Sequence, residues 1–473
     1  MSAKNNFRNR TTQRQPAAWR GWLLFGAAVV ATFALGVLAA SILQRREEAK
    51  ASLPLQPIAE YETDNSKWAV NWPRQYDSYR AGEESSSETK FGGAYPRDLL
   101  AETPANVILF AGYGFAKEYR QARGHLHAVE DVVNTARVGP TTVATCWTCK
   151  SPDVVRLMAD MGPAEFYKQT FDSLKGEVTH PVGCLDCHDP KTMVLKITRP
   201  ALVEALERQG RDLKNISHQE MRSLVCAQCH VEYYFKGEGN YLTFPWDDGT
   251  GIEAMAKYYD EPNFSDWTHA ISGAPMVKMQ HPDYEVYTKG IHAFRNVACA
   301  DCHMPYKTEG GSKFTDHHVR SPLLNIANSC AVCHRWDEEE IRSRVESIQS
   351  GVREGRDRAE ETIAKAHFDI AAAKQAGAND EQLKEARRLV REAQLRWDYV
   401  AANNGMGFHA PQECLRILAA AVEMAGQCRV ECARILARNG VTEPIAYPDF
   451  STKEKAQALM RAFVDGNPPK LVP

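Results

Sequence analysis

The chain has 473 residues, of which 25% are charged and 44% are hydrophobic, and its formal net charge is −3 at pH 7. This composition is typical of a globular protein with one large domain or two to three ordinary ones, and the near-neutral charge gives no indication of a nucleic-acid partner. Ten of the 13 cysteines lie in five Cys-x-x-Cys pairs, a spacing that favours cofactor attachment over a disulfide framework.

Residues 1–45 have the pattern of a targeting segment. Residues 1–20 carry five cations and no acidic residue, and the next 23 residues, 21–43, are uncharged. That length suffices for a helix across about 30 Å of hydrocarbon, whereas a cleaved signal peptide has a shorter apolar core of roughly 7–15 residues. We therefore favour an uncleaved signal-anchor helix, with a signal peptide cleaved near Ala39 and Ser41 as the alternative. In both cases the rest of the chain is exported, which predicts a periplasmic protein, anchored to the inner membrane if residues 21–43 are retained.

Two regions of different character follow the targeting segment. Residues 46–95 are polar and contain Pro54, Pro57 and Pro73, which predicts a linker and an irregular segment leading into the folded core. Residues 96–335 contain all five Cys pairs among short loop signals, with few alternating patterns of the kind that strands show. Such a loop-rich region needs something other than ordinary secondary structure to fill its core, and several large flat cofactors would do that.

Residues 336–473 change to helical periodicity. Three long amphipathic helices are predicted, the second with its N-cap at Asn379 and the third beginning at Pro411. Their apolar stripes could pack on the cofactor core or on a second copy of the chain. The three cysteines outside the pairs are interpreted as small buried hydrophobic residues: Cys414, Cys428 and Cys432.

Four stretches read Cys-x-x-Cys-His, which is the attachment sequence of a c-type haem. The two thiols form thioethers to the porphyrin, and the histidine ligates the iron. One such stretch could arise by chance or serve as a zinc or redox pair, but four in one exported chain indicate covalent haem. The four sets are Cys184, Cys187 and His188; Cys226, Cys229 and His230; Cys299, Cys302 and His303; and Cys330, Cys333 and His334.

The fifth pair, Cys146 and Cys149, is followed by Lys150 instead of histidine. If a haem is attached here, the lysine either ligates its iron or leaves that position empty, and an amine binds iron only when it is deprotonated. An amine is a pure σ-donor, so this iron would have a different electronic setting from the histidine-ligated ones. The spacing therefore predicts four electron-transfer haems and one special haem. The alternative is a redox dithiol with Lys150 as an exposed neighbour.

Several further stretches accompany the Cys-x-x-Cys-Lys motif. They read CWTCKSPDV (146–154), VCAQCHVEYYF (225–235), FPWDDG (244–249), FSDWTHA (264–270), KMQHPDYE (278–285), IHAFRNVACADCHMP (291–305) and TDHHV (315–319). With these stretches the sequence resembles the pentahaem, ammonia-forming cytochrome c nitrite reductases, over roughly residues 90–440. The expected fold is a mainly α multihaem cytochrome c with a loop-rich haem core and long C-terminal helices, and the expected cofactors include five covalently attached haem c groups.

The resemblance implies the six-electron reduction of nitrite to ammonium at the lysine-ligated haem, with four bis-histidine haems delivering electrons. Arg137 would offer positive charge to the anion, and Tyr233 and His281 would hydrogen-bond the substrate or relay protons. A dry, cationic pocket attracts nitrite, and a histidine can exchange protons near neutral pH. Only residues 138–145 separate Arg137 from the lysine motif, so Arg123 is the alternative for the arginine role.

The resemblance also implies one calcium ion near the active haem, as in the calcium-containing branch of the family. Its protein ligands would be the Glu232 carboxylate, the main-chain carbonyls of Tyr233 and Lys278, and the side-chain oxygen of Gln280. All-oxygen ligation suits a hard cation such as calcium.

Distal iron ligands are implied in the same way. The assignments are His125 for the haem at Cys226, His292 for the haem at Cys330, His317 for the haem at Cys184 and His409 for the haem at Cys299. His127 and His318 are the alternatives, since each lies close in sequence to an assigned ligand. The other histidines are interpreted as ordinary surface or core residues: His180, His218, His269 and His367.

Two other classes of function remain open. An electron carrier would saturate all five irons with side chains and have no substrate site, and an enzyme of related chemistry would act mainly on hydroxylamine, nitric oxide or sulfite. The family's usual electron donor is a membrane-bound quinol dehydrogenase cytochrome or a soluble multihaem shuttle. Its members are generally homodimers through their long C-terminal helices, and the apolar seam from Leu383 to Val400 suits such an interface.

Overall fold

The computed structural model describes residues 18–50 and 55–472, which divide into two compact units between Pro57 and Ile58. The predicted cations within residues 1–17, and Pro54 of the predicted linker, lie outside the described residues. The α-helices are α1 (Ala18–Lys50), α2 (Asn65–Trp68), α3 (Pro73–Arg80), α4 (Leu99–Glu102), α5 (Ala105–Leu109), α6 (Ala128–Asn134), α7 (Asp153–Met161), α8 (Pro163–Lys168), α9 (Phe171–Leu174), α10 (Cys184–Cys187), α11 (Pro200–Arg208), α12 (His218–Ala227), α13 (Ile252–Asp260), α14 (Asp283–Tyr287), α15 (Ile291–Phe294), α16 (Cys299–His303), α17 (Glu338–Gln375), α18 (Asp380–Ala401), α19 (Pro411–Arg438) and α20 (Lys453–Val464). The strands are β1 (Glu88–Thr89), β2 (Gly92–Gly93), β3 (Tyr234–Lys236), β4 (Tyr241–Thr243), β5 (Trp267–Thr268), β6 (Pro275–Met276), β7 (Tyr306–Glu309) and β8 (Ser312–Thr315).

The first unit contains α1, which includes the uncharged stretch. Within it, Trp19–Gln44 spans 26 residues, contains an 18-residue window with a mean hydropathy of 2.4, and has almost all of its side chains exposed. By length and composition this helix could cross a membrane. It is consistent with either a signal peptide or a membrane anchor.

In the second unit the strands form only antiparallel pairs, β1–β2, β3–β4, β5–β6 and β7–β8, which connect short helices. The described fold is 54% helix and 6% strand, so it is mainly α, as predicted. Residues 58–93 contain two short helices and a hairpin. Trp68 of α2 is buried against Ile58 and Leu185, and the Asn65 side-chain oxygen accepts a hydrogen bond of 2.8 Å from the Cys184 N–H. This segment therefore packs on the attachment turn at Cys184.

The three predicted long helices are α17, α18 and α19, and they pack against one another. The Asn379 side chain accepts a hydrogen bond of 2.9 Å from the Gln382 N–H, which confirms the predicted N-cap of α18. α19 begins at Pro411, whose fixed φ and missing N–H suit the first helical position. The prediction that the three unpaired cysteines are buried is also confirmed, for Cys414, Cys428 and Cys432.

Buried polar contacts join α17 and α18 to the haem-binding part of the chain. Lys278 and Asp398 form an ion pair of 2.8 Å in which both side chains are 1% exposed. The rings of His269 and His367 stack with their centres 3.6 Å apart, and His367 contacts Ser272 and Gln394 at 2.8 Å each. The long helices therefore fix the loops that carry several of the predicted site residues.

Candidate functional site

Each Cys-x-x-Cys pair lies on one tight turn. The pairs at Cys184 and Cys299 form α10 and α16, the pair at Cys226 lies at the end of α12, and the pairs at Cys146 and Cys330 lie on 3₁₀ turns. In the turns at Cys184, Cys226 and Cys330, the histidine N–H donates a hydrogen bond of 2.9 Å to the carbonyl of the first cysteine. This closure holds the cysteine and the imidazole together at the same turn.

The turn that carries the lysine closes differently. The Lys150 N–H donates to the Trp147 carbonyl at 2.9 Å, which is the tighter contact of a 3₁₀ turn. Trp147 is buried, stacks on Phe171 with ring centres 3.9 Å apart, and donates its indole N–H to the Phe171 carbonyl at 3.0 Å. An aromatic anchor therefore fixes this turn from one side.

The four predicted proximal histidines each face one of the four predicted distal histidines. The ring centres are 6.3 Å apart for His125 and His230, 6.3 Å for His188 and His317, 6.3 Å for His292 and His334, and 6.2 Å for His303 and His409. Two metal–nitrogen bonds of about 2 Å on opposite sides of one ion place imidazole centres roughly 6 Å apart. The spacing therefore fits one metal ion between the rings of each pair.

Hydrogen bonds donated by Nδ1 orient several of these rings. The acceptors are the Met193 carbonyl for His188 at 2.9 Å, the Arg320 carbonyl for His303 at 3.0 Å, and the Thr315 carbonyl for His317 at 2.9 Å. A ring that donates from Nδ1 leaves Nε2 unprotonated for a metal. Burial lowers the pKa of both His188 and His303 to about 4, so the neutral, ligating form dominates near neutral pH.

The attachment turns follow one another through space. The thiol of Cys149 lies next to that of Cys229, and the thiol of Cys226 lies next to that of Cys299. Haem groups attached to neighbouring turns would lie close enough to exchange electrons. The turn at Cys146 thus belongs to the same series as the histidine turns.

Lys150, Arg137 and Tyr233 lie near Cys146. Burial raises the pKa of the Cys146 thiol to about 11, with Lys150 and Arg137 acting in the opposite direction. Burial also raises the pKa of the Tyr233 phenol well above its ordinary value, reinforced by Cys149 and Cys146, so the phenol keeps its proton near neutral pH. The structure therefore brings Arg137 and Tyr233 to the lysine turn.

Arg137 and Arg123 differ in their electrostatic environments. The guanidinium of Arg137 lies 4.2 Å from the centre of the Phe115 ring, and within the described ranges it forms no ion pair with an acid. Arg123 pairs with Asp131 at 2.6 Å and with Glu130 at 2.9 Å, which neutralises its charge. Arg137 is therefore the better candidate to attract an anion.

His281 lies in a hydrogen-bond network that includes two residues not predicted from the sequence, Asp283 and Asn404. One oxygen of the Asp283 carboxylate lies 3.1 Å from His281 Nε2 and 3.1 Å from His230 Nδ1. The Asn404 amide contacts His281 and donates to Asp283 at 3.0 Å. Burial opposes the charge of Asp283, but the two histidines hold its pKa well below its usual range. Asp283 thus orients both the proximal His230 and His281.

The residues implied for calcium are close together. The buried Glu232 carboxylate accepts from the Gln280 N–H and from the Tyr259 hydroxyl, the latter at 2.7 Å, and the Gln280 side-chain amide contacts the Lys278 carbonyl at 3.0 Å. Burial raises the pKa of Glu232 well above its ordinary value, because the hydrogen bonds and cations near the carboxylate do not fully balance the cost of burying its negative charge. A divalent cation held by these oxygens would supply that compensation, so the residues fit the ion.

The repeated attachment turns, the facing histidine rings and the mainly α fold define a c-type multihaem cytochrome. Residues 64–467 match the model of the cytochrome c552 family, and the chain belongs to that family.

Relatives of this family match almost the whole chain. A cytochrome c-552 of Parabacteroides distasonis is 50% identical over 454 residues, which cover 94% of this chain and 92% of that protein. A cytochrome c-552 of Porphyromonas gingivalis is 47% identical over 467 residues, covering 97% of this chain and 94% of that protein. Among solved structures, the catalytic subunit of the cytochrome c nitrite reductase of Desulfovibrio desulfuricans, described with two calcium sites, matches with a TM-score of 0.76 and 34% identity over 80% of this chain and 88% of that one.

Proposed function

We propose that this chain is a pentahaem c-type cytochrome that reduces nitrite to ammonium at the haem on Cys146 and Cys149, with Lys150 as the iron ligand. One observation carries the proposal. In four attachment turns the histidine ring faces a second histidine ring, with the ring centres 6.2–6.3 Å apart. The fifth turn carries a lysine instead, beside Arg137 and Tyr233. The similarity to the nitrite reductase of Desulfovibrio desulfuricans supports nitrite as the substrate.

Haem groups held at the five attachment turns would pass on electrons from the donor, and the haem held by Cys146, Cys149 and Lys150 would supply an iron able to bind nitrite. The histidine pairs would saturate the other four irons, so those haems serve electron transfer alone. The order of neighbouring cysteines, Cys149 beside Cys229 and Cys226 beside Cys299, supports a continuous electron path to the lysine turn.

The side chains around this site can bind an anion and deliver protons. Conversion of nitrite to ammonium and two waters consumes six electrons and eight protons, so proton supply is as essential as electron supply. The Arg137 guanidinium attracts the anion, and the protonated Tyr233 phenol donates a hydrogen bond to it. His281, held at Nε2 by Asp283, keeps Nδ1 available to exchange protons.

We further propose that Glu232, the carbonyls of Tyr233 and Lys278, and Gln280 hold one calcium ion. Because Tyr233 would serve both the ion and the substrate, the ion would fix the position of the phenol. The similarity to a reductase described with calcium sites supports this assignment.

The proposal includes export, an electron donor and self-association. The apolar helix α1 supports export to the periplasm, where a membrane quinol dehydrogenase cytochrome or a soluble multihaem protein would supply electrons. The long helices α17, α18 and α19 are the proposed interface of a homodimer.

The decisive experiment is electron paramagnetic resonance and optical spectroscopy of the oxidised protein with and without nitrite. We expect one high-spin ferric haem that nitrite converts to low-spin, four low-spin haems that do not respond, and ammonium as the product with a reduced dye as the donor. Five low-spin haems that ignore nitrite would show an electron carrier without a substrate site.

A further inference from the structure

Arg199 is a buried cation that the proposed reaction does not use. Its side chain is 1% exposed, and it lies directly before α11. The guanidinium donates to the Thr148 carbonyl at 2.7 Å, to the Thr198 hydroxyl at 2.7 Å and to the Ser151 carbonyl at 2.9 Å. It also pairs with the Asp186 carboxylate. A buried charge is stable only when it is neutralised and its donors are used, and both conditions are met here.

The two backbone acceptors of Arg199 lie on either side of the iron-binding lysine. Thr148 precedes the second cysteine of the turn, and Ser151 directly follows Lys150. The planar guanidinium donates from different nitrogens, so it fixes both carbonyls in direction as well as in distance. Arg199 therefore clamps the segment that presents the lysine amine.

The same cluster joins two further attachment turns. Asp186 belongs to the turn at Cys184, and its carboxylate also accepts from the Gly183 N–H at 2.7 Å. Gln228 belongs to the turn at Cys226; its side-chain oxygen accepts from the Arg199 N–H at 3.2 Å, and its side-chain nitrogen donates to the Asp186 carbonyl at 2.7 Å. Three haem-attachment turns thus meet at Arg199.

A lysine ligand needs such support more than a histidine ligand does. The lysine side chain has four rotatable bonds and loses more conformational entropy when it is fixed. An imidazole is a rigid ring that can also be held through its second nitrogen, as His188 is held by the Met193 carbonyl, whereas a lysine has one nitrogen at the end of a flexible chain and can be held by hydrogen bonds only at the ligating atom itself. The position of the lysine amine therefore depends strongly on the backbone that carries it.

We propose that Arg199 is a positioning residue for the lysine-ligated haem, acting through Thr148 and Ser151 and held in place by Asp186 and Gln228. This inference rests on the proposed function, since it assumes that Lys150 ligates the iron. Loss of the clamp would let the turn shift and weaken the lysine–iron bond without changing the substrate-binding side chains.

Arg222 provides a matched control. It is also buried, at 8% side-chain exposure, and pairs with Asp301, which occupies the position in the turn at Cys299 that Asp186 occupies in the turn at Cys184. Within the described part of the chain, Arg222 makes no hydrogen bond to residues 146–151. Like Arg199, it is therefore a buried cation that pairs with a carboxylate of a haem-attachment turn. Unlike Arg199, it does not contact the lysine turn.

The test compares the holoprotein with the variants Arg199→Lys and Arg222→Lys, both of which keep the charge but lose the guanidinium fork. Intact mass gives the number of attached haems, and electron paramagnetic resonance gives the high-spin signal of the lysine-ligated haem. For Arg199→Lys with five haems we expect a shifted high-spin signal and a decrease in kcat of at least ~10-fold at unchanged KM for nitrite. For Arg222→Lys we expect an unchanged high-spin signal.

Other results would overturn the inference in distinguishable ways. An unchanged high-spin signal in Arg199→Lys, or equal changes in both variants, would overturn the role of Arg199 and leave the proposed function standing. A wild-type protein without a high-spin, nitrite-responsive haem would overturn both. If Arg199→Lys does not retain five haems, Asp186→Asn is measured instead. This variant removes the charge that holds Arg199, while its amide oxygen can still accept a hydrogen bond from the guanidinium. An unchanged high-spin signal in Asp186→Asn would also overturn the inference.

Discussion

At the scale of single residues, the charges next to an arginine decide whether it can bind an anionic substrate. Arg137 lies over an aromatic ring and keeps its positive charge available, whereas the charge of Arg123 is already neutralised by two carboxylates. A cation that is already paired gains little from a further anion, because that anion must compete with the existing partners. This contrast makes the two arginines a natural pair for mutagenesis.

We expect Arg137→Gln to lower kcat/KM for nitrite by roughly 10- to 150-fold, since a hydrogen bond to a charged group contributes about 1.5–3 kcal/mol. The matched variant Arg123→Gln should change kcat/KM by less than about threefold and lower the free energy of unfolding by at most ~1 kcal/mol, as expected for a partly exposed ion pair. Steady-state kinetics with nitrite would check both values. The opposite ranking would identify Arg123 as the arginine that binds substrate.

At the scale of helices and turns, the stacked pair of His269 and His367 makes one contact between α17 and the haem-binding part pH-sensitive. His367 contacts His269, Ser272 and Gln394, and among the residues that the structure describes it has no hydrogen bond or ion pair with a carboxylate that would stabilise a protonated ring. Burial lowers the pKa of His367 to about 4, whereas an unfolded chain binds the proton near pH 6.5. Between these pH values the unfolded state binds more protons, so stability increases with pH.

The stabilisation by neutral His367 is therefore fully present above about pH 6.5. As the pH falls towards 4, the free energy of unfolding decreases by up to ~3 kcal/mol. We expect His367→Gln, which can still contact Ser272 or Gln394, to lose stability less steeply than the wild type between pH 7 and pH 5. Denaturant unfolding followed by circular dichroism at several pH values measures this difference. Parallel curves for the two proteins would show that His367 does not titrate on unfolding.

The predictability of each element depends on how local its signals are. The 3.6-residue period of α17, α18 and α19 and the N-cap of α18 at Asn379 lie within single helices, so the sequence predicts them. The contacts of Arg199 with Thr148 and of Asp283 with His230 join residues 51 and 53 positions apart, and no local pattern marks either partner. Only the resemblance to a known family pairs the facing histidines, because the sequence contains more histidines than the haem groups need.

At the scale of the whole molecule, helix α1 decides whether the protein is released or stays attached to a membrane. Its apolar part, Trp19–Gln44, has 26 residues, which at 1.5 Å per residue extends beyond the roughly 30 Å of a bilayer core. A signal peptide needs only about half that length. Tryptophans at its beginning, Trp19 and Trp22, suit the interface between headgroups and hydrocarbon.

We therefore expect the mature protein to retain residues 21–43 and to stay with the membrane fraction after washing at high salt and alkaline pH, because only detergent releases a spanning helix. Intact mass spectrometry of the detergent-extracted holoprotein should give the mass of the full chain with its haem groups. A substitution of Leu23 and Leu24 by lysine shortens the apolar run, and we expect it to reduce the membrane-bound fraction while leaving nitrite kinetics of the recovered protein unchanged. A soluble wild-type protein whose mass begins near Ser41 would show instead that the helix is a cleaved signal peptide.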